Sequence, residues 1–436
     1  LLDLKHYHIT FKLSLMLHYY YNNTNKLLRR YFSTFLLLNL LLWSPQLSAQ
    51  VNTTSNDSTK VLPNPRQSTK KWYESFSIRG YTQFRYNRLL ETNPQLKCEQ
   101  CDRSWGDKGG VFMRRMRVII FGQISERIYI YVQPDFASSA SSTGLHFAQI
   151  RDAYMDVGLD KNNEFRFRIG QSKVPFGFEN MQSSQNRLAL DRNDALNSAV
   201  SNERDMGVFF YWAPKKTRKL FSQLVNENYK GSGDYGVLGL GVYNGQTANR
   251  PEANNNMHVV GRLTYPFKIG SQIIEPSIQG YTGQFVVNSD NKAKMNASKN
   301  YLDQRFATTF VLYPNPFGMV FEYNIGTGPN YNKQTDSIEQ TALEGGYLLL
   351  NYRINKFNQF FFPFVRLQQY KGGKKHEFDA RSYEVKEAEF GIEWQPYKTF
   401  ELVVMYTISQ RRFEDSVLKN NFQKGSLLRI QAQFNF

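Results

Sequence analysis

The last nine residues, Leu428 to Phe436, alternate in character. Leu428, Ile430, Ala432, Phe434 and Phe436 share one parity, and Arg429, Gln431, Gln433 and Asn435 the other. Successive side chains of an extended chain point to opposite faces, so this predicts a strand apolar on one side and polar on the other. Its length is about what a tilted strand needs to cross the hydrocarbon of a bilayer. The same order recurs upstream. Phe76, Ile78, Phe84 and Tyr86 alternate with Ser77, Arg79, Gln83 and Arg85, and Met116, Val118 and Ile120 oppose Arg115 and Arg117. Ile128, Ile130 and Val132 oppose Tyr129, Tyr131 and Gln133; Ala153, Met155 and Val157 oppose Asp152, Tyr154 and Asp156; Phe165, Phe167 and Ile169 oppose Arg166 and Arg168. Further strands are predicted near 204–213, 235–244, 257–267, 273–285, 303–313, 317–326, 342–353, 359–370, 383–395, 399–410 and 427–436, sixteen in all.

One amphipathic strand fits a soluble sheet equally well, with one face on a core and the other in water. The connections separate the two cases. Alternate links are tight turns: Ser125-Glu126, Asp160 to Asn163, Lys268 to Gly270, Pro314 to Pro316, Asn355 to Asn358 and Pro396 to Lys398. The links between them are long and hydrophilic, and a turn at 214–219 precedes an unassigned stretch to Gly233. Short periplasmic turns alternating with long external loops, on an even strand count, predict an all-β, antiparallel, up-and-down transmembrane barrel over residues 76–436. The longest link, Pro175 to Glu203, is expected to fold inward and narrow the pore, because sixteen strands enclose more space than wall side chains fill. The alternative is an ordinary external loop.

Composition agrees. Aromatics make up 15% of the chain, with 27 Tyr and 34 Phe, at a mean hydropathy of -0.53. That suits aromatic girdles around a polar lumen and argues against a helical membrane protein. Near the start, Lys26, Arg29 and Arg30 precede an apolar run from Tyr31 to Trp43, and Ser48-Ala49 offers a cleavage site. Residues 1–49 are therefore expected to hold a signal peptide and an upstream preamble, with Met16 a candidate start. Residues 50–75 read as a flexible periplasmic leader. The formal charge is +17, of which the first 49 residues carry a surplus of four, leaving +13 on the exported part. Such a balance favours anionic solutes and lipopolysaccharide. Export argues against nucleic acid, as does the lack of a Lys/Arg cluster beside a helix or aromatic platform.

Strand parity puts Arg79, Arg85, Arg115, Arg117, Arg166, Arg168, Arg262, Arg305, Arg353, Arg366 and Arg429 on the lumenal face. Guanidinium groups suit oxyanions because they stay charged, are weakly hydrated and bind bidentately, and rings of Arg/Lys favour anions in a pore. The competing reading is that these arginines pair with lumenal carboxylates such as Asp152, Asp156 and Glu322 and brace the barrel. Cys98 and Cys101 fall in the first long link and are expected to form a disulfide in an oxidising compartment. With no second Cys pair and only His146, His258 and His376 in the exported part, no metal or cofactor site is expected, and no nucleophile and base mark a catalytic wall.

The run Arg168-Ile-Gly-Gln-Ser-Lys-Val-Pro-Phe-Gly-Phe-Glu179 resembles a motif of the phosphate-selective porin O and P family, as do Phe112 to Arg117, Arg151 to Tyr154, Arg204 to Gly207 and Val242 to Gly245, in the same order. The Ser-Ala-Gln leader ending and the Tyr/Asn-rich loops look like its Bacteroidetes-type branch. The resemblance implies a homotrimeric outer-membrane channel for small anions such as phosphate or polyphosphate, with a lumenal arginine ladder and a lysine-bearing constriction. Here the expected constriction loop carries Pro175, Arg187 and Arg192 together with Glu179, Asp191, Asp194 and Glu203, and no lysine after Lys173 at its mouth. General anion preference survives that departure better than a dedicated phosphate site; general or carbohydrate solutes, and a loop-mediated adhesin with an incidental pore, are the alternatives. The class also implies that Phe436 is the C-terminal aromatic presented to the barrel-assembly machinery, in a membrane of outer-membrane lipids and lipopolysaccharide. Deleting Phe436 should reduce the amount of heat-modifiable barrel in the outer membrane severalfold while leaving the conductance of channels that do insert unchanged; equal amounts on gel-shift analysis would refute the signal.

Overall fold

The computed structural model describes residues 72–98, 105, 110–137, 147–289 and 293–436. The predicted signal peptide and residues 50–71 of the leader lie outside them; the leader's last residues, Trp72–Ser75, form a short 3-10 turn leading into the first strand.

All strands belong to one closed antiparallel sheet: β1 (Phe76–Leu89), β2 (Phe112–Gln123), β3 (Ile128–Asp135), β4 (Gln149–Gly158), β5 (Phe165–Lys173), β6 (Arg204–Trp212), β7 (Leu238–Tyr243), β8 (His258–Thr264), β9 (Gln272–Val286), β10 (Asn300–Leu312), β11 (Phe317–Asn332), β12 (Ser337–Tyr352), β13 (Gln359–Gly373), β14 (Ser382–Tyr397), β15 (Phe400–Glu414) and β16 (Phe422–Asn435). Two short segments, Phe267–Ile269 and Ile354–Lys356, resume β8 and β12 after a local break and pair with the same neighbours, so the wall has sixteen staves. No described helix is long and apolar enough to cross a membrane.

Closure rests on the terminal strand. Tyr81 to Leu89 of β1 run opposite Asn435 to Leu428 of β16. The seam ends in a reciprocal pair, Gly80 N–H to the Phe436 carbonyl at 2.7 Å and Phe436 N–H to the Gly80 carbonyl at 3.0 Å. A side chain at Gly80 would sit 2.4 Å from both the Arg117 carbonyl and the Phe436 ring, so glycine alone lets the chain end dock.

The two faces invert the usual order of a soluble core. Ile78, Ile169, Phe306, Ile325, Leu367 and Phe390 lie exposed on the outside, while Arg85, Arg117, Arg204, Arg366, Arg411 and Arg429 are among the largest fully buried side chains. Lipid, not water, covers the apolar face. At the periplasmic rim aromatic rings pair into a girdle, with Phe361 and Trp394 stacked at 6.3 Å and Phe400 against Phe434 at 5.1 Å.

The structure departs from the sequence reading in two places. The link between β11 and β12, expected to be a long loop from 327 to 341, is mostly strand, and only residues 333–336 turn the chain. That hairpin stands above the hydrocarbon, so its residues need not alternate between apolar and polar; pairing is carried by the backbone, on which parity is silent. The segment after Pro214 is a helix, Lys215–Asn226, with Thr217, Phe221 and Leu224 buried on one side. Its helical spacing interrupts a chain otherwise of period two.

Candidate functional site

The connection from β5 to β6 holds two single-turn helices, α1 (Phe178–Met181) and α2 (Asp194–Asn197); the periplasmic helix Lys215–Asn226 is α3. A connection this long, residues 174–203, would ordinarily lie on the surface with its backbone in water. Here residues 171–182 and 187–200 are buried throughout, because the loop is folded into the barrel. Gly177 makes the bend at φ +85°, where an added Cβ would lie 3.0 Å from Leu196. Asn193 caps α2, its side chain accepting from Leu196 N–H at 3.1 Å, and Glu179 accepts from both the backbone and side-chain nitrogens of Asn193 at 2.7 and 2.8 Å.

The wall holds this loop around much of its circumference. Asp191 meets Arg85 at 3.3 Å and also Arg429, and takes a hydrogen bond from Trp105 Nε1 at 3.2 Å. Glu179 meets Arg366 at 2.6 Å, and Arg366 also pairs with Glu389. Asp194 meets Arg411 at 2.9 Å and Lys374. Arg305 donates to the Ala195 carbonyl and Ser198 Oγ, each at 2.8 Å. Phe178 N–H donates to Glu322 at 2.6 Å. Inside the loop Arg192 pairs with Glu203, as does Arg204 of β6.

These partners set the ionisation of the loop. Burial would raise the Asp191 carboxyl, but Arg429 and Arg85 hold it well below the usual carboxylate range. Burial acts likewise on Asp194, which Arg411 and Lys374 hold at about 2. Glu203 is held low by Arg192 and Arg204 against the same burial.

Not every predicted arginine joins this lock. Arg117 pairs with Asp135 at 2.8 Å, Arg168 with Asp156 at 2.7 Å, Arg166 with Asp234 at 2.7 Å and Arg262 with Glu275 at 2.9 Å, so the bracing reading describes these wall positions. Lys173 spends its ammonium on the Met181 and Gln182 carbonyls, both at 2.8 Å. Arg353 sits at the periplasmic rim, over Tyr229 at 4.4 Å and donating to the Glu227 carbonyl at 3.0 Å, and braces the segment after α3. Arg115, Arg187 and Arg79 differ. Arg115 donates to Gln83 at 2.8 Å and Arg187 to the Leu190 carbonyl at 3.3 Å; neither has an ion pair among the described residues, and Arg115 Nε and Arg187 Nε and Nη1 are buried without a partner. Burial pushes the Arg187 guanidinium below its usual range, against the pull of Glu179 and Glu203. Arg79 is exposed to the lumen with its guanidinium 5.3 Å from the Phe121 ring.

The loop does not sit centrally. Val174, Phe176, Leu188, Leu190, Leu196 and Val200 pack with Phe209, Tyr281, Val311, Tyr347, Phe364 and Met405 into an apolar core that fills the β6 to β15 side of the lumen. Space remains on the other side. A cavity of about 460 Å³ runs along β1 to β5, with Arg79, Tyr131, Asp152, Tyr154, Arg168 and Lys173 on its wall, Ser183 and Asn186 of the loop facing them, and α3 below.

Arg204, Arg411, Lys374 and Lys230, which pairs with Glu393, were absent from the predicted set. Arg411 continues the inward parity of Thr407 and Ser409 and falls one residue past the predicted strand end. Cys98 is disulfide-bonded; Cys101 lies outside the described residues.

A closed barrel with a loop pinned inside it and an off-centre polar passage is an outer-membrane porin. The family model described as phosphate-selective porin O and P matches residues 95–436, and the chain belongs to that family: it is a porin of the bacterial outer membrane for small anions. Its fold is also similar to the outer membrane channel DcaP of Acinetobacter baumannii, at 14% identity and a TM-score of 0.51 over 83% of this chain and 97% of that one. Salmonella typhi OmpF, in a complex with daunomycin, matches at 11% identity and 0.52 over the same shares. No curated protein matches the chain. Family and fold are those of a channel.

Two outcomes follow from the lock. Asp191→Ala strips the carboxylate from Arg85 and Arg429, so the anion-to-cation permeability ratio should rise severalfold and open-channel noise should increase; an unchanged reversal potential in a salt gradient would refute the compensation. For pH, a carboxyl whose folded pKa is depressed contributes fully above its unfolded pKa, near 3.9, and loses that contribution as pH falls through the folded value, about 2 for Asp194. Single-channel conductance should therefore be the same at pH 7 and pH 4, with the loop loosening only toward pH 2; a conductance step between pH 7 and 5 would assign control to other groups.

Proposed function

We propose that small anions diffuse passively down the β1 to β5 side of the lumen, past Arg79 and between the wall and the loop at Arg115 and Arg187. The observation that carries this is the contrast among the buried guanidiniums. Those that form ion pairs hold the loop or brace the wall, whereas Arg115 and Arg187 are electrostatic neighbours that form no ion pair among the described residues, Glu179 and Glu203 acting on Arg187 only from a distance. A pair of like charges in a low-dielectric channel draws in a counter-ion. Their fork-shaped donors suit oxyanions over spherical halides.

The reading favours general anion preference over a dedicated phosphate site. The loop supplies arginine rather than a lysine cluster, and Lys173 is engaged by backbone carbonyls. A second solute class has one supporting feature: Tyr131 and Tyr154 stack at 5.1 Å on the cavity wall, a surface on which sugar rings could slide. The homotrimer implied by the family is part of the same proposal.

Arg115→Gln with Arg187→Gln should lower the anion-to-cation permeability ratio about tenfold, since each lost charge in a narrow pore weakens counter-ion entry. Reversal potentials in planar bilayers measure this, with phosphate, chloride and a small oligosaccharide compared in turn. An unchanged ratio in channels of normal conductance would sink the proposed route.

A further inference from the structure

The outer surface of the barrel changes character abruptly between β13 and β16. On β15, Phe400, Leu402, Val404, Tyr406 and Ile408 face outward in succession, level by register with Phe434, Ala432, Ile430, Leu428 and Ser426 of β16. Five such positions account for most of the roughly 25 Å apolar band of a membrane barrel. The next two rows, on the external side, are charged. In the first, Gln410 of β15 is level with Lys424 of β16 and Lys386 of β14, and Lys386 with Gln369 of β13. In the second, Arg412 is level with Phe422 and Glu384, and Glu384 with Lys371.

Lys371, Lys386 and Lys424 are exposed and have no ion pair among the described residues. Arg412, 3.4 Å from Glu414 and 3.9 Å from Glu384, lies 5.1 Å from the Phe422 ring, and Lys424 flanks the same ring at 5.2 Å. Among the described residues the same two rows carry no cation in the neighbouring sector: Glu344, Ile325 and Phe306 continue the row of Lys371 across β12, β11 and β10, and Gly346, Tyr323 and Thr308 that of Gln369. What it has is a groove of about 740 Å³ in the outer wall, lined by Phe306, Ile325, Thr327 and Ala342 and ending at Glu344 and Lys371.

We propose that this sector seats a phosphorylated acyl glycolipid of the outer leaflet, with its phosphates on Lys371, Lys386, Lys424 and Arg412 and one acyl chain in the groove. Unpaired ammonium groups directly above an apolar band lie where lipid headgroups carry their phosphates, and each attracts an anionic headgroup. The spread of the lysines decides against free phosphate. β13 and β16 are three strand spacings apart, about 14 Å, too wide for one ion and suited to a headgroup bearing two phosphates. The groove supplies the second half of the match, since an apolar trough leading away from the cations accepts a chain and not a soluble anion.

The test uses the purified full-length channel in detergent, with bisphosphorylated lipid A and its enzymatically dephosphorylated form as probes, read by native mass spectrometry. Lipid A should be retained about tenfold more strongly than the dephosphorylated form, and Lys371→Gln, Lys386→Gln and Lys424→Gln combined should remove that difference while planar-bilayer conductance stays normal. Lys299→Gln, a cation outside the sector, should change nothing. Equal retention of the two lipids by the unmodified channel would overturn the proposal without any variant, as would full phosphate preference in a conducting triple variant or displacement of lipid A by millimolar inorganic phosphate.

Discussion

A carboxylate removed from water must find a cation, and the loop from β5 to β6 brings several of them into the barrel at once. Asp191, Glu179 and Asp194 each meet wall arginines from strands far apart in the sequence. Replacing such pairs by apolar groups would cost little stability or even add some, but leaving one member alone is expensive. The pairs therefore act mainly on position. The loop can occupy the one placement in which each buried carboxylate meets its arginines, and displacing it would strand several charges together.

That placement fixes where the channel is. The loop is held by arginines toward β1 and β16 and by apolar packing from β6 round to β15, so the open space is left along β1 to β5. The arginines then divide by role. Arg366, Arg411 and Arg429 are consumed in holding the loop, and their charge is largely cancelled at the place where a solute would feel it. Arg115 and Arg187 enter no ion pair among the described residues, so their charge is not cancelled at contact distance. A lumenal arginine thus says little about selectivity until its partner is known.

The wall was legible in the sequence because a membrane barrel imposes a period of two on each stave, and residues such as Ile430 and Arg429 obey it. The inward loop was legible from its length. Strand ends above the lipid were not: the β11 to β12 hairpin has no apolar face to reveal it, and Arg411 and Lys374 were lost with those ends. Helix α3 escaped because its buried face, Thr217, Phe221 and Leu224, is short and lies among lysines. Charge compensation was the least accessible feature. Asp191 lies 106 residues from Arg85 and 238 from Arg429, and no local pattern marks either pairing.

Helix α3 and the segment after it enter from the periplasmic end, whereas the loop from β5 to β6 enters from the outside. They meet: Gln182 donates to the Lys230 carbonyl at 2.7 Å, and Tyr235 to the Met181 carbonyl at 3.4 Å. Two connections on opposite sides of the membrane thus form one septum, tied to the wall at Glu393 and Gln395 as well as at the arginines. Such a partition is cooperative. A disturbance at either mouth is shared with the other, so current through the channel is expected to switch between a few discrete levels rather than drift through a continuum.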